Sequence, residues 1–349
     1  MFATFATLLA LLSEGAPAPV EDLHLLQRRA AKLSTEVVVE AVPKGLVAAD
    51  QLDVKGVEAA HEEATHVATP CRSKEKKENQ SQCIVATVLD VFDVLQSTAD
   101  LSPLNAEVDK ALTALVSMVL VPQPAEVVTA VLEDPQVRAI KKPLWHFLSE
   151  AEYEMESWWA RRFLAEHATM EGTSAFWYRE NYKELTALEL AHLHKVGHRP
   201  SAGDHVVFVG GGPLPFSAIE YMLQSGAKVT VVEHNPWAVQ LSTVLIKQLG
   251  LENVAVEYAA GERFDYAGAT HLIVAALVRH DDAVIRRAMD TADLRMVGVR
   301  SADGLRSLLY APLDGSLDQL HLQPTGGSAV NARVINTLLT FEPAHAKQF

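Results

Sequence analysis

Residues 206–222, VVFVGGGPLPFSAIEYM, have the pattern of a buried strand, a glycine turn and the start of a helix. Gly210 and Gly212 lack a Cβ, so the backbone can turn sharply there and approach a ligand closely. A dinucleotide-binding loop would have a third glycine where Pro215 stands. Pro213 and Pro215 stiffen the loop and remove N–H groups that a phosphate would bind. The loop therefore favours a nucleoside ligand over a pyrophosphate.

An acidic residue ends the next strand of this pattern. KVTVVE finishes at Glu233, where a carboxylate can accept hydrogen bonds from two ribose hydroxyls. A surface glutamate at a strand end is the alternative. A glycine loop without a lysine, followed by such an acid, fits S-adenosylmethionine, although these residues alone support only a nucleoside cofactor. The residues predicted to bind it are Gly210, Gly211, Gly212, Pro213, Leu214, Pro215 and Glu233.

Strand patterns alternate with helical ones through the C-terminal part of the chain. HVVFVG, KVTVVE, VAVEYA, HLIVAAL and RMVGVR are apolar strand patterns, and NARVINTLLTF could close the sheet. Nearly continuous apolar strands are typical of a parallel sheet that is covered on both faces. The alternation predicts a doubly wound, Rossmann-like α/β domain.

The preceding part of the chain is predicted to be helical. Apolar residues recur at helical spacing in IVATVLDVFDVLQS and NAEVDKALTALVSMVLV. Pro143 is predicted to lie in the first turn of a further helix, PLWHFLSEAEYEMESWWARRFLAEH. The polar run 72–82 predicts a linker or exposed loop. We expect an N-terminal extension (1–83), a helical domain (84–199) and the Rossmann-like domain (200–349).

Composition limits the partners and the location. The 349 residues carry a formal charge of −14, which disfavours nucleic acid and anionic membranes as partners. Cys71 and Cys83 are the only cysteines, and we expect ordinary thiols in a reducing compartment. The start, FATFATLLALLSEGAPAP, resembles a signal peptide but has no basic residue before its apolar run. We expect a cytoplasmic protein with a small-molecule substrate, and secretion is the alternative.

Four stretches resemble, in this order, the nicotianamine synthases of plants and archaea and their bacterial metallophore relatives: AEYEMESWWARRF, FWYRENYKELTALE, GGGPLPFS and VAALV…VRSADGLRSLLYAP. The resemblance runs from about Ile84 to Pro343. It implies a helical domain capping an S-adenosylmethionine-dependent, Rossmann-like domain, and transfer of the 3-amino-3-carboxypropyl group to an amine. Nicotianamine synthases condense three S-adenosylmethionine molecules and release methylthioadenosine, whereas the bacterial relatives perform one transfer onto an amino acid such as histidine. Both kinds of product chelate metals, and the enzymes themselves need none.

The resemblance assigns roles to three side chains, and a position after a predicted strand suggests roles for two arginines. The family's catalytic glutamate falls on Glu156, with Glu152 on the same helix face as a supporting substrate-binding residue. A carboxylate within hydrogen-bond reach can take the proton that an attacking ammonium group must lose. The family's active-site tyrosine falls on Tyr182, and its hydroxyl is expected to orient the amine or relay the proton. Arg300 and Arg306 suit a bidentate grip on an amino-acid carboxylate, or could brace a loop through an acidic neighbour.

The chain departs from its relatives at the adenine end of the predicted site. Relatives often carry an aspartate where EYAAGERF has Ala260, and Glu262 is a possible substitute. Three further residues, His192, His194 and His198 in AHLHKVGH, are expected to be helix-end histidines rather than metal ligands.

Two other function classes share the sheet and the acid after its second strand. One is an S-adenosylmethionine-dependent methyltransferase, and the other is a non-catalytic nucleoside-binding protein. Neither needs a base on a capping helix, so Glu156 and Tyr182 argue against both.

Overall fold

The computed structural model describes Glu58, His61, Cys71 and residues 77–313 and 315–344. All of them belong to one compact unit, Pro43–Phe349. The signal-like start lies outside the described residues, and the predicted domain boundaries stay predictions. None of the described helices is long and apolar enough to cross a membrane.

Helices precede the sheet. Between residues 77 and 200 the α-helices are α1 (Lys77–Ser97), α2 (Ala106–Val119), α3 (Ala125–Leu132), α4 (Pro135–Ala165) and α5 (Arg179–Lys195). The apolar faces of α1 to α4 bury one cluster of side chains together with Leu305 and Leu308. This packing places the helical part against the carboxyl-terminal side of the sheet.

Two helix starts differ from the predictions. α4 begins at Pro135 rather than near Pro143, because the Asp134 carboxylate accepts hydrogen bonds from the Gln136 and Val137 amides. α1 begins at Lys77, inside the run predicted to be a linker. Lys, Glu and Gln are good helix formers, so a polar first turn is compatible with a helix that has no apolar period there.

The expectation of free thiols is wrong. Cys71 and Cys83 form a disulfide across a separation of 12 residues, with their Cα atoms 5.7 Å apart. Spacing alone could not show this, because the approach depends on how the chain reaches α1. Disulfides persist in oxidising compartments, so this pair does not favour the expected reducing, cytoplasmic location.

The disulfide predicts the thiol content of the purified protein. Both cysteines of the chain are in the bridge, so we expect no thiol to react with a maleimide in denatured, unreduced protein. Two should react after reduction, as counted by intact mass. Two reactive thiols without reductant would contradict the bridge.

The C-terminal part contains a sheet of seven strands, in the order β3-β2-β1-β4-β5-β7-β6. The strands are β1 (His205–Val209), β2 (Lys228–Glu233), β3 (Val254–Tyr258), β4 (His271–Val274), β5 (Met296–Ser301), β6 (Leu322–Gly327) and β7 (Thr337–Pro343). The first five run parallel, and β7 lies antiparallel between β5 and β6. The helices α6 (Phe216–Ser225), α7 (Pro236–Gln248) and α8 (Asp281–Thr291) connect the parallel strands. The predicted doubly wound α/β fold is confirmed.

Strand β6 was not predicted. Its sequence, LQPTGG, contains a proline and two glycines, which are unusual in a central strand. β6 occupies the edge of the sheet, where a missing N–H group costs no inter-strand hydrogen bond on the open side.

The strand order reverses between β1 and β4. In open α/β sheets, ligands bind beyond the carboxyl ends of the strands at such a reversal. The glycine loop that follows β1 therefore lies at the expected binding crevice.

An aromatic cluster fixes α4 to the α/β part. Trp159 and Phe163 on α4 are buried and contact each other, and Trp159 also contacts Phe176. Phe163 and Phe176 both contact Phe216 at the start of α6. Glu156 lies three and seven residues before the two α4 aromatics, on the same helix face. The packing that buries these rings therefore turns the Glu156 carboxyl toward the glycine loop.

Candidate active site

A cavity of about 680 Å³ lies beyond the carboxyl ends of β1 to β5, and we call it the main cavity. Its lining includes the predicted loop Gly210–Pro215 and residues that follow β2, β3 and β4. Glu152, Glu156 and Tyr182 line it from the helical side. The structure thus brings the predicted loop, the strand-end acid and both predicted helix acids to one space.

Glu233 holds the glycine loop in place. One carboxylate oxygen accepts a hydrogen bond from the Gly212 amide at 2.9 Å, and the other accepts from the His234 and Asn235 amides at 2.8 Å each. A carboxylate has about four acceptor positions, and these three amides use three of them. Ribose binding by this buried acid stays a prediction that its position in the main cavity permits.

Gly212 is the point of contact between the loop and α4. It has φ +63°, and a Cβ built on it would lie 2.5 Å from the Glu156 Oε2 atom. A side chain at position 212 would have to displace this carboxyl group. The close approach of Glu156 and the left-handed turn therefore both favour glycine at this position.

This contact predicts the effect of Gly212→Ala. An L-residue in the left-handed region costs about 1–2 kcal/mol, and the new methyl group would displace Glu156. We expect lower thermal stability and a loss of most activity, measured by calorimetry and turnover. The matched control is Gly203→Ala, because nothing lies within 4 Å of a Cβ at that position. Equal behaviour of the two variants would contradict the contact.

Glu156 and Tyr182 form a hydrogen-bonded pair. The Tyr182 hydroxyl donates to the Glu156 Oε1 atom at 2.6 Å. Burial is the main cause that raises the pKa of Glu156 well above its ordinary value, and the charges of Glu152 and Glu233 raise it further. The Tyr182 hydrogen bond and one from the Leu214 backbone lower it by less. A carboxyl group whose pKa is moved toward neutrality is suited to accept and return a proton at physiological pH.

A second pair lies beside the first. The Tyr310 hydroxyl donates to the Glu152 Oε2 atom at 2.9 Å, and both residues line the main cavity. Burial raises the pKa of Glu152, while Tyr310 and the Arg300 charge lower it. Burial and the Glu152 charge raise the pKa of Tyr310 well above its ordinary value, so the phenol stays protonated and can donate. Tyr310 lies in the recognised stretch VRSADGLRSLLYAP, where the sequence favours a structural role for it rather than a catalytic one.

Comparison with known proteins decides the family. The family model described as nicotianamine synthase protein matches residues 77–341. The chain belongs to the nicotianamine synthase family. The predicted resemblance, from about Ile84 to Pro343, is confirmed over nearly the same range.

Individual nicotianamine synthases and a bacterial relative are similar over part of the chain. L-histidine 2-aminobutanoyltransferase of Yersinia pestis is 29% identical over 145 residues, which are 41% of this chain and 54% of that relative. Probable nicotianamine synthase 4 of Hordeum vulgare is 31% identical over 138 residues, 39% of this chain and 40% of that protein. Nicotianamine synthase 2 of Oryza sativa subsp. japonica is 25% identical over 75% of this chain and 84% of its own length. The chain therefore spans about half, or less, of the length of the first two relatives.

Solved structures share the family fold. A mutant of MtNAS in complex with S-adenosylmethionine has a TM-score of 0.63 at 22% identity and covers 74% of this chain and 97% of its own. MtNAS in complex with MTA and tNA has a TM-score of 0.62 at 22% identity and covers 78% of this chain and 99% of its own. At this identity the likeness concerns the fold.

Arg300 pairs with a buried acid on α5, whereas the predicted alternative to substrate binding was an acidic neighbour that braces a loop. Its Nε and Nη2 atoms donate to the two carboxylate oxygens of Glu189 at 2.8 and 3.1 Å, and Nη1 donates to the Ser217 hydroxyl at 2.8 Å. Glu189 is fully buried on α5 and also accepts from the Tyr221 hydroxyl. Arg300 lines the main cavity, and among the described residues one N–H on each terminal nitrogen has no hydrogen-bond partner. A grip on a substrate carboxylate stays a prediction.

Arg306 is not brought into the site. It does not line the main cavity, and its Nη2 atom donates to the Asn331 carbonyl at 3.0 Å. The prediction treated two arginines of one stretch alike, although β5 ends between them. Arg300 lies on that strand, whereas Arg306 lies on the 3₁₀ turn Gly304–Leu308 and contacts another loop.

Ala260 and Glu262 both line the main cavity. Adenine binding at this place, and the substitution of Glu262 for an aspartate, stay predictions. The three histidines of AHLHKVGH do not line the main cavity. His192 and His194 are in the last turn of α5, as expected, whereas His198 lies beyond its end and pairs with Glu342 at 2.8 Å. No cluster of three potential metal ligands occurs among the residues that the structure describes.

Proposed function

We propose that the chain is a transferase that moves the 3-amino-3-carboxypropyl group of S-adenosylmethionine to an amine and releases methylthioadenosine. The observation that carries this proposal is the Glu156–Tyr182 pair, which a capping helix holds against Gly212 of the cofactor loop. A proton acceptor suits an amine nucleophile, because an amine reacts only after losing its proton. An amine methyltransferase shares this need, so the choice of the aminocarboxypropyl group is supported by the family match.

The cofactor is proposed to lie along the loop with its ribose on Glu233 and its adenine toward Ala260. In this position the sulfonium would lie near the Glu156 carboxyl. The amine lone pair attacks the γ-carbon of the amino-acid arm, the bond from that carbon to sulfur breaks, and its electrons neutralise the sulfonium. Glu156 takes the proton that the amine gives up, and Tyr182 orients the carboxyl group through its hydrogen bond. Holding the reactants in line can supply an effective molarity of about 10⁵–10⁸ M.

Two versions of this transfer are compatible with the family. Three successive transfers would condense S-adenosylmethionine to nicotianamine, and one transfer would extend an amino acid such as histidine. Either product carries the amines and carboxylates that bind transition metals, so we propose a metallophore as product and metal homeostasis as the process. The protein itself is proposed to act without a metal, on small molecules, and without nucleic acid.

One incubation separates the function classes. Purified full-length protein is mixed with S-adenosylmethionine, with and without an amino acid, and the products are identified by mass spectrometry. We expect methylthioadenosine. Adenosylhomocysteine would show methyl transfer, and unchanged cofactor under every condition would support a binding protein. A condensate of three aminocarboxypropyl units from S-adenosylmethionine alone would identify the repeated transfer.

A further inference from the structure

A smaller cavity of about 170 Å³ adjoins the main cavity, and we call it the side cavity. The residues that line both cavities form the junction between them: Glu152, Tyr182, Arg300, Tyr310 and Asn336. A molecule in the side cavity would therefore present one end to the acids and hydroxyls that the proposed transfer uses.

Beyond the junction the side cavity is lined mainly by aliphatic side chains. They come from α2, α4, α5 and the loop before β7, and include Leu112, Val116, Leu148, Met155, Leu185 and Ile335. An apolar protein cavity of about 150 Å³ holds a molecule as large as benzene. The side cavity thus has the size and the surface for the side chain of leucine, methionine or phenylalanine.

Asn336 marks the polar end of this space. The residue is 9% exposed, and its Oδ1 atom is buried with no hydrogen-bond partner within the described ranges. Buried amide groups are normally hydrogen-bonded. Because the Oδ1 atom is buried, an amino group at the junction would reach it only after rotation of the Asn336 side chain. The amino group would also lie beside Glu152, on the side of the Glu156–Tyr182 pair.

The positive charges near the side cavity can pair with one substrate carboxylate. Arg300 lies at the junction and has unused N–H groups, whereas Arg333 lies at the outer rim, with 74% of its side chain exposed and Glu184 at 3.7 Å. Each repeated transfer would add a further carboxylate to the acceptor. An unpaired charge among aliphatic side chains is strongly unfavourable, so the side cavity does not suit a growing nicotianamine chain.

We propose that the side cavity binds the apolar side chain of an amino-acid acceptor, which receives one aminocarboxypropyl group. This inference rests on the proposed transfer and specifies its acceptor. The acceptor's amino group lies at the junction between Asn336 and Glu152, and its carboxylate lies on Arg300. Its nitrogen forms the new bond to the γ-carbon, methylthioadenosine leaves, and the released proton passes to Glu156.

The test measures methylthioadenosine release by the full chain with S-adenosylmethionine and single amino acids. We expect kcat/KM for leucine, methionine or phenylalanine to exceed that for histidine, aspartate and glutamate by about tenfold or more, as one or two methylene contacts can supply. Release that is fastest with histidine or an acidic amino acid, or a trimeric condensate from S-adenosylmethionine alone, would overturn the inference and leave the transfer intact. No methylthioadenosine with any acceptor would instead overturn the proposed function.

A variant that fills the side cavity tests whether this cavity binds the acceptor side chain. Val116→Phe places a larger side chain in the aliphatic part, and we expect about a tenfold or greater loss of kcat/KM for leucine with little change for alanine. Leu223→Phe is the control, because Leu223 lies on α6, is 49% exposed and lines neither cavity. Asn336→Ala should raise KM for the acceptor while the Kd for S-adenosylmethionine, measured by calorimetry, stays unchanged. Equal losses for leucine and alanine in Val116→Phe protein that binds the cofactor normally would contradict the pocket.

Discussion

Glu156→Gln is expected to reduce turnover by about 10²–10⁴-fold, the range that general base catalysis contributes. The glutamine keeps the shape of the side chain and can still accept the Tyr182 hydrogen bond, but it cannot take the proton from the amine. The affinity for S-adenosylmethionine, measured by calorimetry, should stay unchanged because the cofactor loop keeps its neighbours. Glu154→Gln is the control, since Glu154 lies on the same helix but lines neither cavity.

The pH dependence of activity tests whether the Glu156 carboxyl group is the base. Because burial raises the pKa of Glu156 above 4.5, activity should increase with pH through a midpoint above the ordinary carboxyl range. That limb should vanish in Glu156→Gln. Unchanged turnover, or an unchanged acid limb, would remove Glu156 as the base.

The same substitution should make the folded protein more stable at neutral pH. A carboxyl group whose folded pKa lies above its unfolded value destabilises the fold once it ionises, so the wild type loses stability as pH rises from about 4.5 through the raised pKa. Glutamine carries no such penalty. The difference in Tm between variant and wild type should therefore grow with pH over this window and disappear below it.

Arg300→Met is expected to destabilise the protein by about 3–5 kcal/mol, the cost of leaving one partner of a buried ion pair unpaired. The reason is that Glu189 would keep a fully buried carboxylate facing an apolar side chain. The free energy of unfolding from denaturant titration provides the measurement. A second variant, Arg300→Met with Glu189→Leu, should recover much of the loss because both charges are then removed.

An exposed ion pair supplies the comparison for Arg300. Arg138 and Glu133 are 3.2 Å apart, and each side chain is about two-thirds exposed. Exposed pairs contribute about 0–1 kcal/mol, so Arg138→Met should change stability by no more than that. An Arg300→Met variant as stable as Arg138→Met would show that the pair does not brace α5 against the sheet.

The sheet and the loop could be predicted because local sequence determines them. The parallel strands are short apolar runs, and a glycine turn followed by an acid has few structural solutions. β6 and the Cys71–Cys83 bridge were missed because an edge strand and a disulfide depend on which distant segments meet. The start of α4 was misplaced because Pro135 and Pro143 both fit a first turn, and only the Asp134 cap distinguishes them.

The site was predicted least well where the partner of a side chain comes from a distant segment of the chain. The sequence placed Arg300 near the carboxyl ends of the strands, but its pairing with Glu189 depends on how α5 lies over the sheet. Arg306, six residues later, points to another loop. Tyr310 and Asn336 were not predicted as site residues because their positions in the cavities arise from packing between α4 and the loops after β5 and before β7.

The most direct test is a crystal structure of the Glu156→Gln variant with S-adenosylmethionine bound. We expect the ribose on Glu233 and the γ-carbon of the amino-acid arm facing position 156, Tyr182 and the mouth of the side cavity. A complex in which the sulfonium methyl faces these groups and the γ-carbon points away would contradict aminocarboxypropyl transfer.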